Sequence, residues 1–117
     1  MKGDKTMRKV IINIGEKDYE IKFDINALID LAGDGIDVLK IDKIEMDLKA
    51  IRTMFKHGLK HDMKKITDKQ AGDLMSQFIE DGHQLNDLTV KIIEALANAM
   101  GNKKEIDEEV EEGEEGK

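Results

Sequence analysis

The chain opens with an alternating rhythm of apolar and polar residues and then changes to a helical one. Arg8-Lys9-Val10-Ile11-Ile12-Asn13-Ile14 is rich in β-branched residues, and Gly15-Glu16-Lys17-Asp18 is a turn signal. Tyr19-Glu20-Ile21-Lys22-Phe23 then places Tyr19, Ile21 and Phe23 on one face and Glu20 and Lys22 on the other. Two short strands about a glycine-containing turn predict a β-hairpin with one buried and one wet face. An isolated hairpin is marginal in water, so this one must lean on helices.

Four helices are predicted after it. Asp24 can cap a short helix from Ile25 to about Leu31 that Gly33 and Gly35 end, and 34–41 reads as loop or a brief helical turn. Asp42 can cap a longer helix over about Lys43 to Leu59, with Ile44, Leu48, Ile51, Phe55 and Leu59 as its stripe. Thr67-Asp68-Lys69-Gln70 has the form of a capping box, and Ala71, Leu74, Met75, Phe78 and Ile79 make an apolar face behind it. Gly82 suits the C′ position. Asn86 or Asp87 can cap the last helix, which Gly101 closes. Leu88, Ile92, Ala95, Leu96 and Ala99 form its first face, and Val90, Ile93, Ala97 and Met100 form a second. Only Lys91, Glu94 and Asn98 keep a polar stripe. A helix apolar on two sides is either central to the core or half of an interface.

The predicted architecture is therefore α+β. A flexible start, 1–7, precedes one domain over 8–101, an antiparallel β-hairpin packed on a bundle of about four helices. The charged end, 102–117, is expected to be a disordered acidic tail. That segment holds eight acids and three lysines, so it carries −5 of the chain's −7. Like charges repel, and Ile106 and Val110 are its only apolar anchors. An acidic balance argues against a general binder of phosphate backbones. No apolar run approaches the roughly 20 residues of a membrane span. No apolar segment of signal-peptide type follows the first residues. With no cysteine, the chain has no disulfide, thiol nucleophile or Cys-based zinc site.

Candidate chemistry is sparse. His57 and His61 stand at i and i+4 with Asp62 beside them, a spacing that could hold a metal. However, the HExxH glutamate is missing, and Lys56, Lys60, Lys64 and Lys65 would repel a cation. A solvated basic helix end is the favoured reading. The same cluster, net +3 over Lys56 to Lys65, lacks interleaved aromatics for base stacking. It reads as an exposed charged loop, with an embrace of the acidic tail as another option. Asp30, Asp34 and Asp37 miss the EF-hand spacing and suit turn chemistry. Ser76, the sole serine, has no nucleophile-elbow sequence around it, and His83 stands alone after Gly82. No catalytic residue and no cofactor site are predicted. Among seven methionines, Met46 is placed on the far side of its helix from the stripe and Met54 at the flank of it. Flexible thioethers of that kind suit adaptable contact surfaces.

The run Val10-Ile11-Ile12-Asn13-Ile14-Gly15-Glu16-Lys17-Asp18-Tyr19-Glu20-Ile21-Lys22-Phe23, followed at once by a short helix, resembles the N-terminal hairpin of the tail assembly chaperones of long-tailed bacteriophages and prophages. The organisation over roughly residues 8–101 is similar as well, and 10–31 is its most specific part. The resemblance implies a non-enzymatic assembly factor of the bacterial host cytoplasm that binds the tape measure protein, in several copies, and helps recruit major tail (tube) protein. It also implies, in many members, a longer product made by frameshifting, for which the codons of Lys103-Lys104 are the candidate place. The partner-binding residues predicted on physical grounds are Val90, Ile93, Ala97 and Met100, with Met46 and Met54. The rival reading is a small DNA-binding or regulatory helical protein, which the presence of only Arg8 and Arg52 as arginines weakens.

Overall fold

A computed structural model describes residues 9–101. The expectations for the flexible start and the acidic tail, and the frameshift position at Lys103-Lys104, fall outside them. Strands β1 (Val10–Ile14) and β2 (Lys17–Ile21) pair antiparallel, with Ile14 opposite Lys17 and Val10 opposite Ile21. The loop is only Gly15-Glu16, and both residues have positive φ, 60° and 68°. That is the left-handed geometry a two-residue hairpin needs to match strand twist. Glycine adopts it freely and glutamate does not. Val10, Ile12, Ile14, Ile21 and Phe23 are buried beneath the hairpin, while Ile11 and Asn13 face out.

Four helices follow: α1 (Ile25–Gly33), α2 (Leu48–Leu59), α3 (Asp68–Glu80) and α4 (Leu85–Ala99). The architecture is a hairpin packed on a helical bundle, as the sequence pattern predicts. Asp24 caps α1, its Oδ1 accepting the Ala27 N–H at 2.8 Å. Thr67 and Gln70 form the reciprocal capping box of α3. At the end of α3, the N–H groups of Gly82 and His83 donate back to Ile79 and Phe78, a Schellman closure with the His83 ring stacked on Phe78.

Two helix starts differ from expectation. The second helix begins at Leu48, and its cap is Asp47, whose Oδ1 accepts the Ala50 N–H at 2.9 Å. Residues Val38–Lys43, upstream of it, are a kinked 3₁₀ segment started by Asp37 rather than α-helix. Ile41, Ile44 and Met46 pack against the core from this irregular stretch, a tertiary gain that outweighs continuing the helix. Leu48, expected in the buried stripe, is consequently exposed. The last helix begins at Leu85. Asp87 is its third residue and not its cap, and its carboxylate accepts the Gln84 N–H at 3.1 Å.

Helix α2 is the centre of the molecule. It packs against β2, α1, α3 and α4, and Ala50, Ile51, Met54, Phe55, His57, Gly58 and Leu59 are all buried in it. Its last turn lies on the hairpin so closely that a Cβ at Gly58 would stand 2.7 Å from Ile21 Cγ2 and 3.1 Å from a Phe23 ring carbon. The Gly58 carbonyl accepts the Lys22 N–H at 2.9 Å, which continues the edge of β2 into the helix end. No helix among the described residues is long and apolar enough to cross a membrane.

Two substitutions test this geometry. Gly58→Ala adds the methyl group that does not fit, an overpacking cost of about 1–3 kcal/mol against about 1 kcal/mol of helix propensity in alanine's favour. A net loss is expected as a lower urea midpoint with unchanged slope, and a gain would contradict the close packing. Glu16→Gly relieves a left-handed glutamate and should raise stability by about 1 kcal/mol in the same measurement.

Candidate partner-binding surface

Helix α4 buries one face completely and leaves another uncovered. Leu88, Ile92, Ala95 and Leu96 are sealed inside. Val90, Ile93, Ala97 and Met100 recur at steps of three and four residues, so they share one side of the helix. Their solvent exposure is 56% for Val90, 39% for Ile93 and 37% for Met100, with Ala97 half-buried between them. α4 packs against β1, β2, α2 and α3, and Val90, Ile93 and Met100 on its other side still remain exposed. Its polar stripe differs from expectation at Asn98, which is buried near the open end of the hairpin beside Val10 and Phe23.

The two methionines placed on the same surface behave differently. Met54 has no exposed area and belongs to the core, so it cannot touch a partner of the folded chain. It falls three residues after Ile51, and α2 is covered on so many sides that even the flank of its stripe is enclosed. Met46 precedes α2 instead of lying on its far side, and it is half-buried against the core.

Sequence reasoning passed over two further apolar exposures. Ile25 and Ile29 lie one turn apart on the outer side of α1, and the signal was available in a helix whose only polar residues are Asn26 and Asp30. A groove of about 470 Å³ runs between α2 and α3, lined by Leu48, Met75, Ile79 and Leu85 with Lys49 and Arg52 in its wall. Scattered apolar exposure is ordinary, but rows and grooves of it mark contact sites.

The histidines do not converge on a common point. His57 is 3% exposed, against the expectation of a solvated helix end, and its Nε2 donates to Asp34 Oδ2 at 2.7 Å. Its buried Nδ1 has no hydrogen-bond partner. His61 Nε2 instead donates to the Glu20 carbonyl at 2.8 Å, and Asp62 is 3.8 Å from His61 Nδ1. No group of three or more His, Asp or Glu residues among the described residues is arranged to hold a metal ion. The basic cluster is partly consumed in structure as well, since Lys56 Nζ is 2.8 Å from Asp68 Oδ1. Of the three aspartates read as turn chemistry, Asp34 pairs with His57 and Asp37 caps the 3₁₀ segment.

Three aspartates are held below the usual carboxylate range by tertiary contacts. The His57 hydrogen bond does this for Asp34, the Lys56 hydrogen bond for Asp68, and the Gly15 N–H, at 2.6 Å, for Asp81.

No protein-family model, curated protein or solved structure matches the chain.

The depressed carboxylates set the sign of a pH effect. The unfolded chain binds protons at Asp34, Asp68 and Asp81 before the folded one does, so their stabilisation is present above the ordinary aspartate value of 3.8 and fades as pH falls below it. Asp34→Asn should lower the urea midpoint at pH 7 and flatten its decline between neutral pH and pH 3. An unchanged acid limb would show that the His57 contact contributes nothing to stability.

Proposed function

We propose that the protein is a non-catalytic assembly chaperone of a long-tailed phage or prophage, acting in the cytoplasm of the bacterial host. It covers apolar stripes of the tape measure protein and helps bring tail tube subunits to it. The observation that supports this most directly is the row Val90, Ile93, Ala97 and Met100, an apolar helix face left over after the core is complete. Such a face suits a helical partner, because two apolar stripes at helical spacing bury each other. The hairpin-then-helix organisation that resembles the family agrees with it.

The test is co-purification of the chain with its tape measure protein. Ile93→Glu with Met100→Glu places two carboxylates on the exposed face without disturbing Leu88, Ile92 or Leu96. Circular dichroism and thermal midpoint should stay near wild type, while affinity for the tape measure falls at least about tenfold. Retained binding by the folded double variant rejects the α4 face as the contact. Absence of any binding by the wild-type chain rejects the function.

A further inference from the structure

The two edges of the hairpin are finished differently. With a two-residue loop closed by Ile14 and Lys17, the ladder bonds fall on the pairs 14/17, 12/19 and 10/21. The backbone groups of Ile11 and Asn13 on β1, and of residues 18, 20 and 22 on the β2 side, therefore point outward. The β2 edge is partly occupied by its own chain, since His61 donates to the Glu20 carbonyl and the Lys22 N–H donates to the Gly58 carbonyl. The β1 edge is not. Among the described residues the backbones of Ile11 and Asn13 make no hydrogen bond beyond the hairpin, and the Asn13 side chain turns to Asp18.

Native edge strands are usually guarded by charge, proline or a bulge. Val10-Ile11-Ile12-Asn13-Ile14 has no charge and no proline, its pairing is regular, and Ile11 is exposed.

We infer that the β1 edge is an interface with a second copy of this chain, joining two hairpins into one four-stranded antiparallel sheet about a two-fold axis at Ile12. In that register Ile11 of each copy bonds Asn13 of the other, which satisfies all four outward groups on each strand. Val10 meets Ile14 on the buried side. The occupant follows from charge. The strand begins at exposed Lys9 and ends at exposed Glu16, with Asp81 bonded to Gly15 beside it. Antiparallel pairing about Ile12 sets Lys9 of each copy against the Gly15–Glu16 turn and Asp81 of the other, so two basic ends meet two acidic ends. The assignment does not depend on the chaperone reading and involves none of the residues of the α4 face.

Light scattering on the full chain at increasing concentration should show monomer passing to dimer. Ile11→Lys, at an outward position, and Asn13→Pro, which removes an outward donor and spares the ladder, should each abolish the dimer while circular dichroism remains unchanged. The chain has no cysteine, so the register can be read by cross-linking. Ile11→Cys and Asn13→Cys chains, mixed and oxidised, should form a disulfide-linked dimer, because residues opposite in a bonded pair have Cα atoms about 5.5 Å apart. Neither variant alone should link, because the same residue in the two copies is more than about 7 Å apart. A chain that stays monomeric at every concentration overturns the proposal. So does a dimer that survives both Ile11→Lys and Asn13→Pro, or one whose mixed cysteine variants do not link.

Discussion

Between Gly58 and the side chains of Ile21 and Phe23 there is no space for one methyl group, and the remaining contacts are arranged around that approach. A glycine at the last turn of α2 lets the helix backbone rest directly on the hairpin. The Gly58 carbonyl can then take the Lys22 N–H, and His61 can reach the Glu20 carbonyl. A two-stranded sheet has too little surface to stand alone, and this seat supplies one edge with hydrogen bonds and one face with the buried side chains of α2. The next residue back, His57, reaches the other way to Asp34 at the end of α1. One helical turn thus holds the hairpin and α1 together.

Placing α2 at the centre determines what the other helices have left to offer. α4 needs only one face to complete the core, yet its sequence carries two. α1 is short and apolar on most of its circumference, so Ile25 and Ile29 remain in water after Leu28 and Leu31 are buried. A domain of this size has little core volume relative to surface. Apolar residues beyond what that core can accept are costly in solubility and are sensibly read as places for another chain. The same logic applies to backbone groups: on the β2 side the Glu20 carbonyl and the Lys22 N–H are bonded within the chain, whereas those of Ile11 and Asn13 on β1 make no bond beyond the hairpin among the described residues.

The interior also uses polar chemistry sparingly. His57 is buried with its Nε2 bonded to Asp34 and its Nδ1 without a hydrogen-bond partner. Asp68 and Asp81 form comparable links at the surface, from α3 to α2 and from α3 to the hairpin turn. These three carboxylates tie separate elements together, which is why contacts distant in sequence depress them.

Much of the local structure was legible in the residues. The hairpin, the Asp24 cap, the Thr67–Gln70 box and the closure at Gly82 each depend on chemistry within five or six positions, where side-chain geometry leaves few choices. The two faces of α4 were legible for the same reason, since helical spacing states which residues lie together. Spacing does not state what lies opposite. Asp42 and Asp47 both precede apolar residues at plausible offsets, and the packing of Ile41, Ile44 and Met46 on the core chose the later one. Met54 and His57 read as flank and surface until α2 was surrounded on several sides. Which of the two apolar faces of α4 is buried, and which strand edge stays open, are decided only when the elements compete for one small core. A linear pattern carries the periodicity of each element, and the competition between elements exists only in three dimensions.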